Sequence, residues 1–403
     1  MRIALFYHSL ISDWNHGNAH FLRGIATELM ARGHHVTIYE PANAWAVANL
    51  FAEHGRGPID AFHQAYRHLQ SQTYHLAQLD LDAALREVDL VIAHEWNSPE
   101  LIARLGEHRA CHPHYRLLFH DTHHRSASDP RAMTYYDLRQ FDGVLAFGQV
   151  IADIYRRERW AQRTWVWHEA ADTRMFYPRA DRPSEGDLVW IGNWGDGERA
   201  EELRAFLLEP VKRLGLRAKV FGVRYPEAAL AALREAGIAY GGWLPNYLVP
   251  EVFSRYRVTV HVPRRYYAQQ LPGIPTIRPF EALACAMPLV CAPWDDAEGL
   301  FEPGRDYVLA RDGDEMTEQL RALLAEPQRA KALGEHGQQT IQQRHTCAHR
   351  VNELIEICRE LGLPVPRRDT VRRRPMMRHT HFPCFDPPAP ASTPLAPIKD
   401  NPA

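Results

Sequence analysis

The chain opens on a short apolar run, Ile3–Tyr7, then a polar loop, His8–Asn18, then a stretch in which apolar positions recur every three or four residues. Phe21, Leu22, Ile25, Leu29 and Met30 form one stripe of a helix predicted over Ala19–Ala31. Arg32-Gly33-His34 ends that helix, and Val36–Tyr39 reads as the next strand. The spacing predicts a βαβ unit whose first loop lies where such units seat phosphate. Further strands are predicted at Leu90–Ala93, Arg116–Phe119, Gly143–Phe147 and Thr164–Trp167, with helices from Pro99 and over Val150–Arg157. Residues 42–85 are less regular; helical segments at Ala44–Glu53 and Ile59–Gln70 carry no chemistry that the pattern can assign.

After a polar, Pro-bearing stretch at Pro178–Gly186 the plan repeats. Strands are predicted at Leu188–Ile191, Lys219–Gly222, Val258–Val262 and Leu289–Cys291. Helices are predicted over Glu198–Leu214, from about Thr276, and over Met316–Leu324, Pro327–Gln342 and Thr346–Leu361. Strand–helix alternation of this kind implies parallel sheets with helices on both faces, an α/β class. Past Leu363 the chain is Pro-rich and aperiodic, and Pro364–Ala403 reads as a disordered tail.

A length of 403 residues exceeds the usual single domain, so two domains are expected. A formal net charge of −2 argues against a nucleic-acid binder, which would carry a basic surplus. No apolar run is long enough to span a membrane, and MRIALFYHSL enters a strand without the features of a signal peptide. The six cysteines are scattered without a CxxC pair, as reduced thiols of a cytoplasmic protein would be.

Candidate chemistry concentrates in four places. In LPGIPTIRPFEALACAMPLVCAP, Thr276 stands where it can cap the first turn of a helix, and free amides with the helix dipole there favour phosphate. Arg278 and Glu281 lie three apart on one face, a guanidinium suited to a diphosphate and a carboxylate suited to a ribose diol; an ordinary surface ion pair is the alternative. Upstream, Arg264 and Arg265 end a buried strand, placed either to neutralise a diphosphate or as a solvated pair. Gly192-Asn193-Trp194-Gly195-Asp196-Gly197 is a glycine-rich loop between strand and helix, a weak phosphate signal by itself. His120-Asp121-Thr122-His123-His124-Arg125 ends another strand, at the edge where open α/β sheets bind ligands. A zinc reading of this cluster is set aside because adjacent histidines point apart and no i,i+4 pair accompanies them. Backbone capping and a ligand-facing role both remain open for it. Asp295-Asp296 reads as a solvated turn, so no metal is expected.

IPTIRPFEALACAMPLV resembles the nucleotide-sugar signature of GT-B glycosyltransferases of the family-4 type, in the spore-maturation-protein-like branch. VHVPRRYY before it matches that branch as a block, GNAHFLRGIATELMARGHHVTIYE resembles the GT-B opening, and RHTCAHRVNELIEI resembles the family's closing helix. The resemblance implies two Rossmann-like domains facing a cleft, with the C-terminal helix crossing back. It places an acceptor-side domain at 1–178, a nucleotide-sugar domain at 179–345, a crossover helix at 346–363 and the tail at 364–403.

By the same resemblance Glu281 holds the donor ribose. The family's earlier Glu, which contacts the donor sugar, is replaced by Gly273, and its usual glycine after the helix is Ala286. Donor-binding candidates are Gly192, Asn193, Arg199, Trp243, Arg264, Arg265, Gly273, Ile274, Thr276, Arg278 and Glu281; Asn193 and Glu198 stand where relatives carry Arg and Lys. His8, His16 and Gly17 are acceptor-side candidates, and His120 and Asp121 are the catalytic ones. The implied activity is sugar transfer from a nucleoside-diphosphate sugar to a hydroxyl acceptor, retaining and metal-independent, with no cofactor. A sugar-nucleotide epimerase or hydrolase, or a catalytically silent nucleotide-sugar binder, are the alternatives.

Overall fold

The computed structural model describes residues 1–180, 183–195 and 197–364, so most of the tail, 365–403, lies outside the described residues, as do two positions of the polar stretch and Asp196. The described chain forms two compact units, one of residues 1–169 with 347–364, the other of 170–346.

In the first unit the strands are β1 (Arg2–Phe6), β2 (His35–Pro41), β3 (Ser71–Tyr74), β4 (Leu90–His94), β5 (Arg116–Asp121), β6 (Gly143–Ala146) and β7 (Thr164–Val166). They make one parallel sheet in the order β3-β2-β1-β4-β5-β6-β7. Ile3, Leu5, Ile92, Leu118 and Val144 are fully buried along its middle, as strands covered on both faces must be. The Ala19–Ala31 helix forms where its apolar stripe predicts. Arg23 on that helix is buried and draws in the loop after β1, donating to the carbonyls of Leu10 (2.7 Å) and Ile11 (2.9 Å) and pairing with Asp13. The final helix, Cys347–Glu360, belongs to this unit: Arg32 donates to Asn352 Oδ1 and Ala348 O, and Trp167 Nε1 to Arg350 O (2.8 Å).

The second unit holds β8 (Leu188–Ile191), β9 (Ala218–Phe221), β10 (Ile238–Tyr240), β11 (Val258–His261), β12 (Leu289–Cys291) and β13 (Val308–Leu309), parallel, in the order β10-β9-β8-β11-β12-β13. Leu188, Val220, Val258, Val260 and Val290 form its core with Leu203, Leu207, Leu320 and Leu323 from the covering helices. Both sheets therefore reverse strand order beside their first strand, at β1/β4 and at β8/β11, and loops leaving those strands diverge around a crevice there. Among the described residues no helix is long and apolar enough to cross a membrane.

Two local departures from the sequence pattern have clear causes. The helix expected over Glu198–Leu214 is interrupted by a wide turn at Arg204–Leu208. Pro210 lacks an N–H and its ring would meet the carbonyl four residues back, so the ladder widens to i→i+5. Ala286, standing where the resemblance implies a glycine, takes the left-handed φ of +54° itself. Ala286 N donates to Leu283 O (2.9 Å) and Met287 N to Ala282 O (3.0 Å), the two bonds of a Schellman closure made with alanine. Gly334 of the Pro327–Arg344 helix packs directly on the Ala286 carbonyl, leaving no room for a Cβ.

Gly334→Ala is expected to lower stability by about 1–3 kcal/mol through overpacking, whereas Ala286→Gly should raise it by up to about 1 kcal/mol by removing left-handed strain. Urea unfolding of both variants checks the pair; opposite signs are required.

Candidate functional site

In the second unit the candidate residues gather on loops leaving β8 and β11. After β8, Gly192 N donates to Phe221 O and Gly192 O accepts from Tyr225 Oη, each at 2.8 Å. Gly222 approaches so closely that a Cβ there would strike the Gly192 carbonyl. Asn193 Oδ1 accepts from Val223 N at 3.0 Å. The loop then folds back through Gly195 (φ +94°) and Gly197 (φ +85°) onto Arg199. That guanidinium donates through Nε to Asn193 O (3.0 Å) and through Nη1 to Val262 O (3.2 Å), and lies over the Trp190 ring. Arg199 thus clips the two loops together. Burial, then the neighbouring Arg264, lower its pKa to about 9, and it remains charged at neutral pH.

After β11, Arg264 Nη1 donates to Glu198 Oε2 at 3.0 Å, and both side chains are partly exposed. Arg265 turns away, binding Glu202 (2.9 Å) and Glu201 (3.3 Å). The structure therefore separates two arginines that the sequence treats as a pair. Arg278 stands close enough to Arg199 for their charges to repel, and both depress the buried His261, which burial chiefly holds at about 3 and hence neutral. Arg199, Arg264 and Arg278 are one electrostatic group, faced by the carboxylates of Glu198 and Glu281.

Glu281 is wholly buried. Its Oε1 accepts from Asn246 Nδ2 at 2.6 Å and its Oε2 binds Arg278. The i,i+3 pair was readable from sequence; Asn246, 35 positions away, was not. Full burial removes the alternative of an ordinary surface ion pair, and Glu281 is anchored by its partners. Trp243 is half-buried on the segment between β10 and the Asn246–Leu248 turn.

Thr276 occupies the N-cap position of the Ile277–Ala284 helix but makes no side-chain cap bond, contrary to expectation. Its φ of +61° and ψ of −179° belong to a region that glycine favours, a strained state for a β-branched residue. Ile274 is buried, and Gly273 N donates to Asp295 O at 2.6 Å. Gly273 has φ +87°, and a Cβ built there would lie 2.6 Å from Glu298 Oε1. The Glu298 carboxylate fills the space that a side chain at 273 would take.

In the first unit the loops after β1, β4 and β5 bring histidines together. His8 stacks on Trp45 (4.8 Å between centroids) and meets His16 edge-on; both are buried, and Gly17 is exposed. His94 Nε2 meets Thr122 Oγ1 at 2.9 Å. His120 lies among Phe21, His94 and Trp167, and neither ring nitrogen has a hydrogen-bond partner among the described residues. Asp121 is also buried, accepting from Tyr155 Oη (2.9 Å) and His123 N (3.0 Å). Glu95, which sequence reasoning passed over, binds Arg125, while Tyr136 Oη donates to its carbonyl at 2.7 Å. Among the described residues, the ligand atoms of the His120–Arg125 stretch do not converge as those of a metal site would.

Burial lowers His8 to about 4 and His120 to about 3, and drives His16 and His94 well below the ordinary histidine value. It raises Glu95 to about 7, against the pull of Arg125, and Asp121 to about 6. The signs oppose. Depressed histidines give stability that is present above pH 6.5 and lost as pH falls; raised carboxyls give stability that is present at low pH and lost as pH rises through 6–7. Four histidines outweigh two carboxyls, so the urea midpoint is expected to fall between pH 7 and pH 5. His120→Phe should flatten that limb by about one proton, a slope change of roughly 1.4 kcal/mol per pH unit.

Residues 199–356 match the family model described as glycosyl transferase-like. A comparison with curated protein sequences finds no match. Among solved structures, sucrose-phosphate synthase of Thermosynechococcus elongatus is similar over 90% of this chain and 99% of its own, at 16% identity and a TM-score of 0.64. A glycosyltransferase of Rickettsia africae is similar over 90% and 98%, at 11% identity and 0.62. HepE of Anabaena, in complex with UDP and glucose, is similar over 89% and 100%, at 14% identity and 0.63. The glycosyl transferase-like match is confined to residues 199–356, and the architecture of the chain is similar to that of GT-B glycosyltransferases.

Proposed function

We propose that the protein transfers a sugar from a nucleoside-diphosphate sugar, most simply a UDP-sugar, to a hydroxyl acceptor, with retention and without a catalytic metal. The observation that carries the reading is the group of Arg199, Arg264 and Arg278 at the β8/β11 strand-order reversal, beside the N-terminus of the Ile277–Ala284 helix. A diphosphate leaving group needs fixed positive charge where its negative charge grows, and guanidiniums with a helix N-terminus supply it. HepE in complex with UDP-glucose is a fold relative, which favours uridine as the nucleoside.

In this reading Arg264 and Arg278 take the diphosphate, exchanging part of their hold on Glu198 and Glu281 for phosphate oxygens. Arg199 sets the loop and its potential, and the backbone of Gly192 and Asn193 with that of Ile274 and Thr276 lines the phosphates. Glu281, oriented by Asn246, takes the ribose hydroxyls, and Trp243 stacks on the base. Glu298 supplies the sugar-side carboxylate that Gly273 lacks. His8, His16 and Gly17 lie on the acceptor side, at the β1/β4 reversal. His120 and Asp121, both buried, act as positioning residues behind that surface. A phosphate oxygen then accepts the acceptor's proton. The cytoplasm, where nucleotide sugars are made, is the proposed location.

A thermal-shift panel of UDP, UDP-sugars, UMP and uridine tests the assignment, since a ligand of the native state raises the melting point. No shift with any of them overturns it. Release of UDP that depends on added acceptor separates transfer from hydrolysis or epimerisation, and binding without turnover marks a silent binder.

Arg264→Ala is expected to weaken UDP binding by about tenfold or more while leaving uridine binding nearly unchanged, because charge-assisted bonds are worth roughly 1.5–3 kcal/mol. Arg265→Ala, whose partners are Glu201 and Glu202, should change neither; equal effects of the two would reject the division.

Two carboxylate variants separate the donor's parts. Glu281→Gln should weaken UDP about tenfold to a hundredfold and also lower stability by about 1–3 kcal/mol, since it strips a buried Arg278 interaction. Glu298→Gln should leave UDP affinity intact and slow transfer. Titration with UDP and steady-state assay check both, and intact UDP affinity in Glu281→Gln would remove the ribose assignment.

A further inference from the structure

One histidine pair lies far along the strands from the surface just described. His108 and His112 sit one turn apart at the end of the Pro99–Cys111 helix, just before β5 begins, and Asp82 sits in the short Leu81–Leu85 helix that precedes β4. All three therefore cluster where strands start, whereas His94 and His120 lie where strands end. The two imidazoles stack with centroids 4.2 Å apart and an 18° interplanar angle. Asp82 Oδ1 is 3.3 Å from His108 Nε2 and 3.5 Å from His112 Nε2, and the three ligand atoms lie within 4.8 Å of one another.

We propose that Asp82, His108 and His112 form a binding site for a divalent ion of the zinc class, with the fourth position open to water. Ligands at about 2.0–2.1 Å from a tetrahedral ion stand roughly 3.3–3.4 Å from each other, close to both nitrogen–oxygen separations seen here. Bringing both in-plane lone pairs onto one ion requires one imidazole to swing out of the 18° stack, while the polarity of each ring already suits the ion. His108 Nδ1 meets Tyr115 Oη at 3.0 Å, and His112 Nδ1 donates to His108 O at 3.1 Å, so both rings turn Nε2 toward Asp82 with the other nitrogen already held. This is the outer-shell support that imidazole ligands require. His108 Nε2 is buried, 3.3 Å from Asp82 Oδ1. Imidazole with one carboxylate suits zinc over magnesium or calcium.

Such an ion would tie the short helix before β4 to the helix after it. Its effect is stabilisation of the first unit, separate from sugar transfer. With 23 histidines in the chain, total metal uptake is uninformative and the difference between variants is what counts. The full-length protein, freed of metal by chelator, is titrated with Co²⁺ followed by Zn²⁺, reading visible absorption and melting temperature. The expected result is one tight equivalent of Co²⁺ with an imidazole-type d–d spectrum, displaced by Zn²⁺, and a rise in melting temperature with either ion. Asp82→Asn and His112→Gln, at partly exposed positions that leave the fold intact, should each lose that equivalent. Tyr115→Phe should keep it with affinity reduced by about tenfold or more. Absence of a tight equivalent in the wild type, or its persistence in both Asp82→Asn and His112→Gln, overturns the site.

Discussion

A carboxylate with no access to water must be held, and Glu281 is held from two directions. Asn246 reaches it from the turn after β10, and Arg278 from its own helix. Removing either partner leaves charge stranded in a medium that penalises it by several kcal/mol. The constraint therefore runs outward: the turn at Asn246–Leu248, the helix Ile277–Ala284 and the loop before it are fixed relative to one another by one side chain. Arg278 in turn fixes where positive charge stands beside Arg199 and His261. A charged surface built this way is preorganised, since its charges are oriented before any ligand arrives.

The arginines divide their work according to partner. Arg199 donates to backbone carbonyls and joins two loops, a structural use of a cation whose potential is still felt nearby. Among the described residues Arg264 pairs with one partly exposed glutamate, an interaction that phosphate can outcompete. Arg265 is spent on the helix that carries Glu201 and Glu202. Neighbouring residues of one type thus have different accessible chemistry, because each side chain leaves the end of β11 in its own direction.

Periodicity made most of the fold legible. The two sheets, the closing helix and the strands with apolar runs follow the pattern within a residue or two, since buried parallel strands cannot be polar. What the pattern missed lacks that signature. β3, Ser-Gln-Thr-Tyr at the sheet's edge, has no apolar alternation, and β10 and β13 are too short to show any. At the site, Arg278–Glu281 was visible because i,i+3 spacing is local. Asn246–Glu281, Glu95–Arg125, Arg264–Glu198 and the asymmetric fates of Arg264 and Arg265 depend on which loops the topology brings together. The Asp82–His108–His112 cluster was missed for the same reason: its i,i+4 histidines are plain in the sequence, yet their third partner comes from another helix.

Three positions around the Ile277–Ala284 helix hold a positive φ against or beside local preference. Ala286 keeps the left-handed conformation that glycine would give freely, so the closure is set by the packing of Gly334 on its carbonyl rather than by local preference. Thr276 holds a strained backbone just before the helix, a conformation that persists only where its surroundings over-determine it. Gly273 gives up a side chain, and the Glu298 carboxylate occupies the vacated volume from the loop after β12. In all three cases the backbone holds a positive φ, and only at Gly273 does the residue itself favour it. Strain of about 1–3 kcal/mol per position is tolerable in a large buried core, but it would serve no purpose if this loop were only a connection. The shape of the loop is thus imposed by its surroundings more than by the local preference of its residues.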